Sequence, residues 1–155
     1  MRIENITLAA EGFHSEAAQY LMGMLDNDLT HRYPGKKINA PKPDGFEHEK
    51  SVFVIARNDG VPVACGGLVY ISENVCELKR MFTEPHSRGH GLAKMILLEL
   101  EQHAKEQGFK VIQLETGKHQ PEAIIMYEHN GYHSVPCFRK YKNSPHSNCY
   151  EKEIV

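Results

Sequence analysis

No part of this 155-residue sequence is apolar for long enough to cross a membrane. The longest uninterrupted apolar run, Val52-Phe53-Val54-Ile55-Ala56, has the length of a buried strand, whereas a span needs about 20 residues. Met1-Arg2-Ile3-Glu4-Asn5 leads into alternating residues without the apolar block of a secretory leader, so the cytoplasm is the expected compartment. An excess of one charge is missing too. Lys and Arg total 18 against 20 Asp and Glu, a formal charge of -2, which gives no basic surplus for nucleic acid as the main partner. The four cysteines, Cys65, Cys76, Cys137 and Cys149, form no Cys-x-x-Cys pair, and they are expected to be reduced and structural. Ten histidines raise the question of a metal. His86 and His90 stand four apart, as do His129 and His133, but Arg88-Gly89 and Asn130-Gly131 interrupt the helical turn that would align each pair. His-Glu-x-x-His is absent, and no metal is expected.

What remains is an ordinary globular composition, 41% hydrophobic and 25% charged, with the length of a single domain over 1–155. A first strand is expected over 2–8, followed by a helix capped at Ser15 with Ala17, Ala18, Leu21, Met22 and Leu25 at helical spacing. Residues 26–45, with Pro34-Gly35, Pro41, Pro43 and Asp44-Gly45, carry turn chemistry and are expected to form a long loop. Three antiparallel strands are expected over 52–57, 61–71 and 75–82, joined by turns at Asn58-Asp59-Gly60 and Glu73-Asn74. Gly66-Gly67 marks a bulge or a close backbone approach. Leu92, Ile96, Leu100 and Ala104 then repeat at helical spacing, with Glu99, Glu101, Lys105 and Glu106 largely on the other face, until Gly108 stops the helix. A strand at 111–114, a helix opened by Pro121 and ended by Asn130-Gly131, and strands at 132–138 and 149–155 complete a mixed α/β order.

The chemistry concentrates in Glu77-Leu78-Lys79-Arg80-Met81-Phe82-Thr83-Glu84-Pro85-His86-Ser87-Arg88-Gly89-His90-Gly91-Leu92-Ala93-Lys94. A strand runs into a loop with two glycines that opens directly onto an amphipathic helix. Such a loop can turn its N–H groups inward, and the helix start adds orphan donors and a partial positive charge. Over 79–94, Lys79, Arg80, Arg88 and Lys94 stand against the single acid Glu84, so the local field favours an anion such as a diphosphate. A glycine-rich turn on a solvated basic surface is the alternative. Gly91-Leu92-Ala93 is not the Gly-Lys-Ser/Thr of a Walker loop, and Lys94 stands where a Rossmann loop needs its third glycine.

Arg88-Gly89-His90-Gly91-Leu92-Ala93 resembles the acetyl-CoA signature of the GNAT superfamily of N-acetyltransferases, Gln/Arg-x-x-Gly-x-Gly/Ala, at every fixed position. The resemblance runs on through the following helix, the next strand, the Tyr-bearing helix and the Gly131-Tyr132 turn. It implies a central mixed, mostly antiparallel sheet flanked by helices. It also implies acetyl-CoA as cosubstrate, with its diphosphate on the amides of Arg88, Gly89, His90, Gly91, Leu92 and Ala93. The pantetheine arm would pair like an added strand with the backbone at Met81, Phe82 and Thr83, with Gln120 where many relatives carry a contacting asparagine.

Transfer of an acetyl group needs a neutral amine, a polarised thioester carbonyl and a proton for the leaving sulfur. A primary amine with a pKa near ~10 must lose a proton first. By resemblance Glu77 is the candidate base, acting through water, with a salt-bridged strand glutamate as the alternative. Tyr127 is the candidate acid or hydrogen-bond donor to the sulfur, with a core tyrosine as the alternative. A backbone N–H near Met81 is expected to polarise the carbonyl. His31, Arg32, Tyr33, Lys36 and Lys37 would wall the acceptor site from the early loop, and 136–141 would close the other side. Their cations suit an acceptor bearing a carboxylate or phosphate, unless they are solvated loop charges. The expected acceptor is a small-molecule amine, and family habit implies a homodimer. The rival readings are a non-catalytic acyl-CoA-binding sensor or subunit and a nucleotide-binding protein.

Overall fold

The computed structural model describes residues 3–35 and 45–154. Within them the order is β1 (Ile6–Ala10), α1 (Glu16–Arg32), β2 (Val52–Asn58), β3 (Val61–Tyr70), β4 (Val75–Thr83), α2 (Leu92–Glu106), β5 (Val111–Gly117), α3 (Pro121–His129), β6 (His133–Val135) and β7 (Ser147–Glu153). Short 3₁₀ turns lie at Pro85–Ser87 and Arg139–Tyr141. The strands form one sheet in the order β1-β2-β3-β4-β5-β7-β6. Every neighbouring pair is antiparallel except β4 and β5, so the expected mixed, mostly antiparallel sheet flanked by helices is what the chain adopts. No helix among the described residues is long and apolar enough to cross a membrane.

Local chemistry accounts for the joints. Asp59 and Gly60 both take positive φ, 51° and 83°, the backbone of a two-residue hairpin turn whose twist matches the strands it joins. Ser15 caps α1, its hydroxyl accepting from the Ala18 N–H at 3.1 Å. Apolar side chains on the two sheet faces build two clusters. Leu78, Ile112 and Leu114 pack with α2 and α3, and Phe53, Ile55, Cys65 and Phe82 pack with α1.

Several expectations are corrected. Residues 26–32 are not loop but the last two turns of α1. Polar side chains there satisfy one another within the helix: Arg32 pairs with Asp28 at 3.0 Å, and the Thr30 hydroxyl donates to the Asp26 carbonyl at 2.8 Å. The irregularity near Gly66-Gly67 carries its extra residue on β4. Gly67 pairs with Lys79 and Cys65 with Phe82, so Gly66 alone faces Arg80 and Met81, and Arg80 takes φ 61°. The glycines serve close approach instead: a Cβ on Gly66 would stand 2.9 Å from Ile96, and one on Gly67 would meet the Phe46 ring. The bulge also resets the alternation, so Met81 packs on the α2 side with Leu78 rather than beside Glu77 and Lys79. β6 stops at Val135, short of the strand expected to reach 138.

Two further corrections concern buried chemistry. Glu101, expected on the outer face of α2, is only 7% exposed. Its carboxylate accepts from the Tyr132 hydroxyl at 2.8 Å and from Lys152 Nζ at 3.2 Å, tying α2 to β7 and to the turn after α3. Cys137 and Cys149 form a disulfide, so the expectation of four reduced cysteines fails for this pair. Cys65 and Cys76 are free and buried, and burial pushes the Cys65 thiol far up and the Cys76 thiol up to about 12.

Removing the Glu101 carboxylate leaves the buried Tyr132 hydroxyl without its acceptor. Glu101→Ala is expected to cost about 2 kcal/mol in urea unfolding, and Glu101→Gln less, because an acceptor remains. An unchanged midpoint for the alanine variant would remove this network from the stability of the fold. Thiol titration under non-reducing conditions is expected to find no reactive group in the folded protein, two after denaturation, and all four only after reduction.

Candidate functional site

β4 and β5 pair in parallel from Val75 opposite Val111 to Leu78 opposite Leu114, and there the pairing ends. β4 continues to Thr83 and β5 to Gly117, the latter still paired to β7 but no longer to β4. The two strands therefore part into a wedge that begins beside the Arg80 bulge. The Glu84 N–H donates to the Val63 carbonyl on β3, so alternation turns the polar groups of Thr83 and Met81 the other way, toward the wedge. A cavity of about 540 Å³ fills it, walled by β4, β5, α1, the start of α2, α3 and the segment before β7.

One end of this cavity is the glycine loop. Gly89 and Gly91 hold positive φ, 84° and 78°, and a Cβ on either would meet nothing within 4 Å, so these glycines answer to backbone direction rather than crowding. Gly91 is the N-cap of the 15-residue α2 and supplies no side-chain cap, which leaves the amides of its first turn as orphan donors. Arg88, Gly89, Gly91, Leu92, Ala93 and Lys94 line the cavity, but His90 does not. Arg88 is braced by its Nε–H to the Thr83 carbonyl at 2.9 Å and by its guanidinium over the Phe82 ring. This arrangement suits a diphosphate: open amides, a cation and room for close approach.

Midway along the wedge stands Tyr127, presented by α3 and only 5% exposed, with its ring edge-on to Tyr132 at 5.7 Å. Burial, and secondarily the Glu115 carboxylate, hold its phenol well above the ordinary tyrosine range. Met81, Phe82, Thr83 and Gln120 line the same cavity. Gln120 is held by accepting from the Gly117 N–H at 3.0 Å and the Tyr33 hydroxyl at 3.4 Å.

Glu77 lies on the opposite side of the sheet from Leu78, 2% exposed and saturated with donors. Arg139 reaches one carboxylate oxygen at 2.7 Å, the Tyr141 hydroxyl the other at 2.9 Å, and Lys79 stands 3.8 Å away. Arg139 also donates to Gln113 on β5 at 2.8 Å, so the 3₁₀ turn Arg139–Tyr141 ties β4 to β5 at the paired residues just ahead of the wedge. The salt-bridged strand glutamate foreseen as the alternative describes this geometry. Glu115 was not singled out from the sequence. It sits where β5 leaves β4, accepts from the Ser147 hydroxyl at 2.5 Å, and its charge acts on Tyr127, Tyr33 and Tyr141. The signal was present in the alternation of Ile112 and Leu114 inward with Gln113 and Glu115 on the other face.

Of the residues expected in an acceptor-site loop, Arg32 and Tyr33 end α1 and line the cavity, whereas His31 bonds the Asn27 carbonyl and lies outside it. Arg32 pairs with Glu122 and donates to the His119 carbonyl, and Tyr33 stacks on His119 at 4.8 Å. Together they bridge the mouth of the wedge from α1 to the start of α3. Lys36 and Lys37 lie outside the described residues. Among the described residues no group of three or more His, Cys, Asp or Glu is placed to hold a metal ion.

Comparison with known proteins agrees with this architecture. Residues 18–132 match the model of the acetyltransferase (GNAT) family. A protein of Azospirillum brasilense named IAA acetyltransferase is 30% identical over 151 residues, covering 97% of this chain and 99% of that protein. A GNAT-family acetyltransferase of Staphylococcus aureus Mu50 superposes with a TM-score of 0.80 at 20% identity, covering 97% of this chain and 100% of that one. A GNAT-family acetyltransferase of Elizabethkingia anophelis, solved with acetyl-CoA bound, does so at 0.70 and 14% identity over 97% and 99% of the two chains. This chain belongs to the GNAT family of acetyltransferases.

Proposed function

We propose that the protein transfers an acetyl group from acetyl-CoA directly to a small-molecule amine, both held in one ternary complex. The observation that carries this reading is a single cavity joining the uncapped start of α2, the outward-turned backbone of Met81 and Thr83, and the buried Tyr127 phenol. When bound, acetyl-CoA supplies the thioester. Amides of residues 89–94 and the Arg88 guanidinium would hold its diphosphate, and the β4 edge would hold its pantetheine arm. The Met81 N–H would polarise the carbonyl.

Tyr127 acts as a hydrogen-bond donor to the departing sulfur rather than as a full proton source. Its phenol is held above its ordinary value near ~10, while a thiol titrates near ~8.5, so the proton rests on the phenol. Glu77, with both oxygens engaged, positions Arg139 and Tyr141. Glu115 is the better placed carboxylate to draw the proton from the amine, directly or through water, because it stands at the wedge beside Tyr127. A cytoplasmic homodimer remains part of this reading by family habit.

Thermal unfolding with acetyl-CoA, CoA, ATP and NAD separates the rivals, since a ligand at a hundredfold excess over its Kd adds about 2.7 kcal/mol. A shift with acetyl-CoA and CoA alone is expected, and a shift with ATP or NAD instead would overturn the reading. In a free-thiol assay, Tyr127→Phe is expected to lower kcat about 100-fold with little change in the KM for acetyl-CoA. Glu115→Gln is expected to lower kcat/KM at least as much as Glu77→Gln. Acetyl-CoA binding with no turnover on any amine would favour the non-catalytic sensor.

A further inference from the structure

The α1 side of the wedge carries a charge imbalance that donor binding does not use. Around the Glu77 carboxylate stand Arg139 at 2.7 Å and Lys79 at 3.8 Å. Lys140, next in chain to Arg139, is carried by the same 3₁₀ turn and lines the same cavity as Lys79, its ammonium 5.4 Å from the centre of the Tyr141 ring. Arg80, the nearest further cation, has its own partner in Asp26 at 3.7 Å. The Glu77 carboxylate thus faces two cations, with Lys140 on the same turn, and both of its oxygens are already taken by Arg139 and Tyr141.

Two ammonium groups that line one cavity repel one another. The Lys79 side chain is only 22% exposed, and both lysines line the cavity. Desolvation, with Lys140 and Arg80 adding to it, pulls the Lys79 ammonium below its ordinary range against the opposing pull of Glu77. A chain with no use for this pair would turn the exposed Lys140 out to water. Instead the clamp of Arg139 and Tyr141 on Glu77 fixes the turn that carries it. The lysines lie on the face of β4 away from α2, so an anion there is not the donor's diphosphate, which belongs to the loop at the start of α2. Across the wedge, on the same face of β5, stands Glu115.

We infer that the acceptor is an amine that also bears a carboxylate, an amino-acid-like zwitterion whose carboxylate sits between Lys79 and Lys140 while its amine faces Glu115. This rests on the acetyltransferase reading and specifies its substrate class. A monoanion suits the site better than a phosphate dianion, because the Glu77 carboxylate lies beside Lys79 and Glu115 closes the other side. Both ends of the molecule would be read by charge, and an acceptor without a carboxylate would leave Lys79 only the already engaged Glu77 carboxylate and Lys140 only the Tyr141 ring.

The test titrates the CoA-loaded protein by calorimetry with the N-acetyl derivatives of the common amino acids, each beside its primary amide, and with N-acetyl-2-aminoethyl phosphate. At least one acid is expected to bind about tenfold tighter than its amide, a preference that Lys140→Gln and Lys79→Gln each reduce. Lys140 is exposed, so its substitution should leave the fold intact even if that of Lys79 does not. The inference is overturned if no acid exceeds its amide, if the preference survives both substitutions, or if the phosphate binds best. Acetyl-CoA binding is measured on the same samples. Donor binding without an acid preference ends this inference alone, whereas loss of donor binding ends the acetyltransferase reading and this inference with it.

Discussion

β4 and β5 can stay together only while each finds its hydrogen bonds in the other, and that ends at Leu78 and Leu114. Beyond this point each strand is still held on its far side, β4 by β3 and β5 by β7, so they part without fraying. The Arg80 bulge sharpens the departure by adding a residue to β4 alone. The candidate site is arranged around this gap. The glycine loop lies beyond its β4 side, Tyr127 enters from α3, and the Arg139–Tyr141 turn holds the two strands together just ahead of it. A sheet that continued its pairing would have neither the cavity nor the outward-turned backbone of Met81 beside it.

The bulge also decides which residues share an environment. With strict alternation Met81 would stand with Glu77 and Lys79; with the extra residue it packs against Gly66, Ile96 and the α2 side. The polar clamp and the apolar lining thus lie on different faces of one short strand. Lys79 and Arg80, adjacent in sequence, serve different partners for the same reason, Glu77 and Asp26 respectively.

Much of this was readable before any coordinates. The strand–loop–helix segment was legible because glycine at positive φ, an amphipathic helix and a basic bias are all local properties. Tyr127 could be placed because α3 is bounded by Pro121 and Asn130-Gly131. What escaped depends on distant partners. The end of α1 looked like loop because its polar residues bond within the helix and to His119, just ahead of α3 and 87 positions away. Glu101 looked like a surface residue because Tyr132 and Lys152 complete it only after folding. Glu115 carries no motif, and its place follows from where pairing stops. The cysteine pair was missed because spacing along the chain does not disclose which strands become neighbours; Cys149 faces Val135, two residues before Cys137, across β6 and β7.

That disulfide closes a loop of 12 residues, and the loop is the wall that carries Arg139, Lys140, Tyr141 and His146. A cross-link of this span removes chain entropy that an open segment would otherwise lose on ordering. The wall is therefore organised in advance of any acceptor, and little of the energy of association goes into immobilising it. The glycine loop on the other side has no such staple among the described residues; it is fixed by dihedral preference, by Arg88, and by Glu84, whose carboxylate accepts from the His86 N–H and the Ser87 hydroxyl. The two halves of the cleft thus draw their rigidity from different sources, one covalent and one conformational, and a change in thiol–disulfide balance would loosen the wall that carries Lys140, Tyr141 and His146 while leaving the glycine loop as it stands.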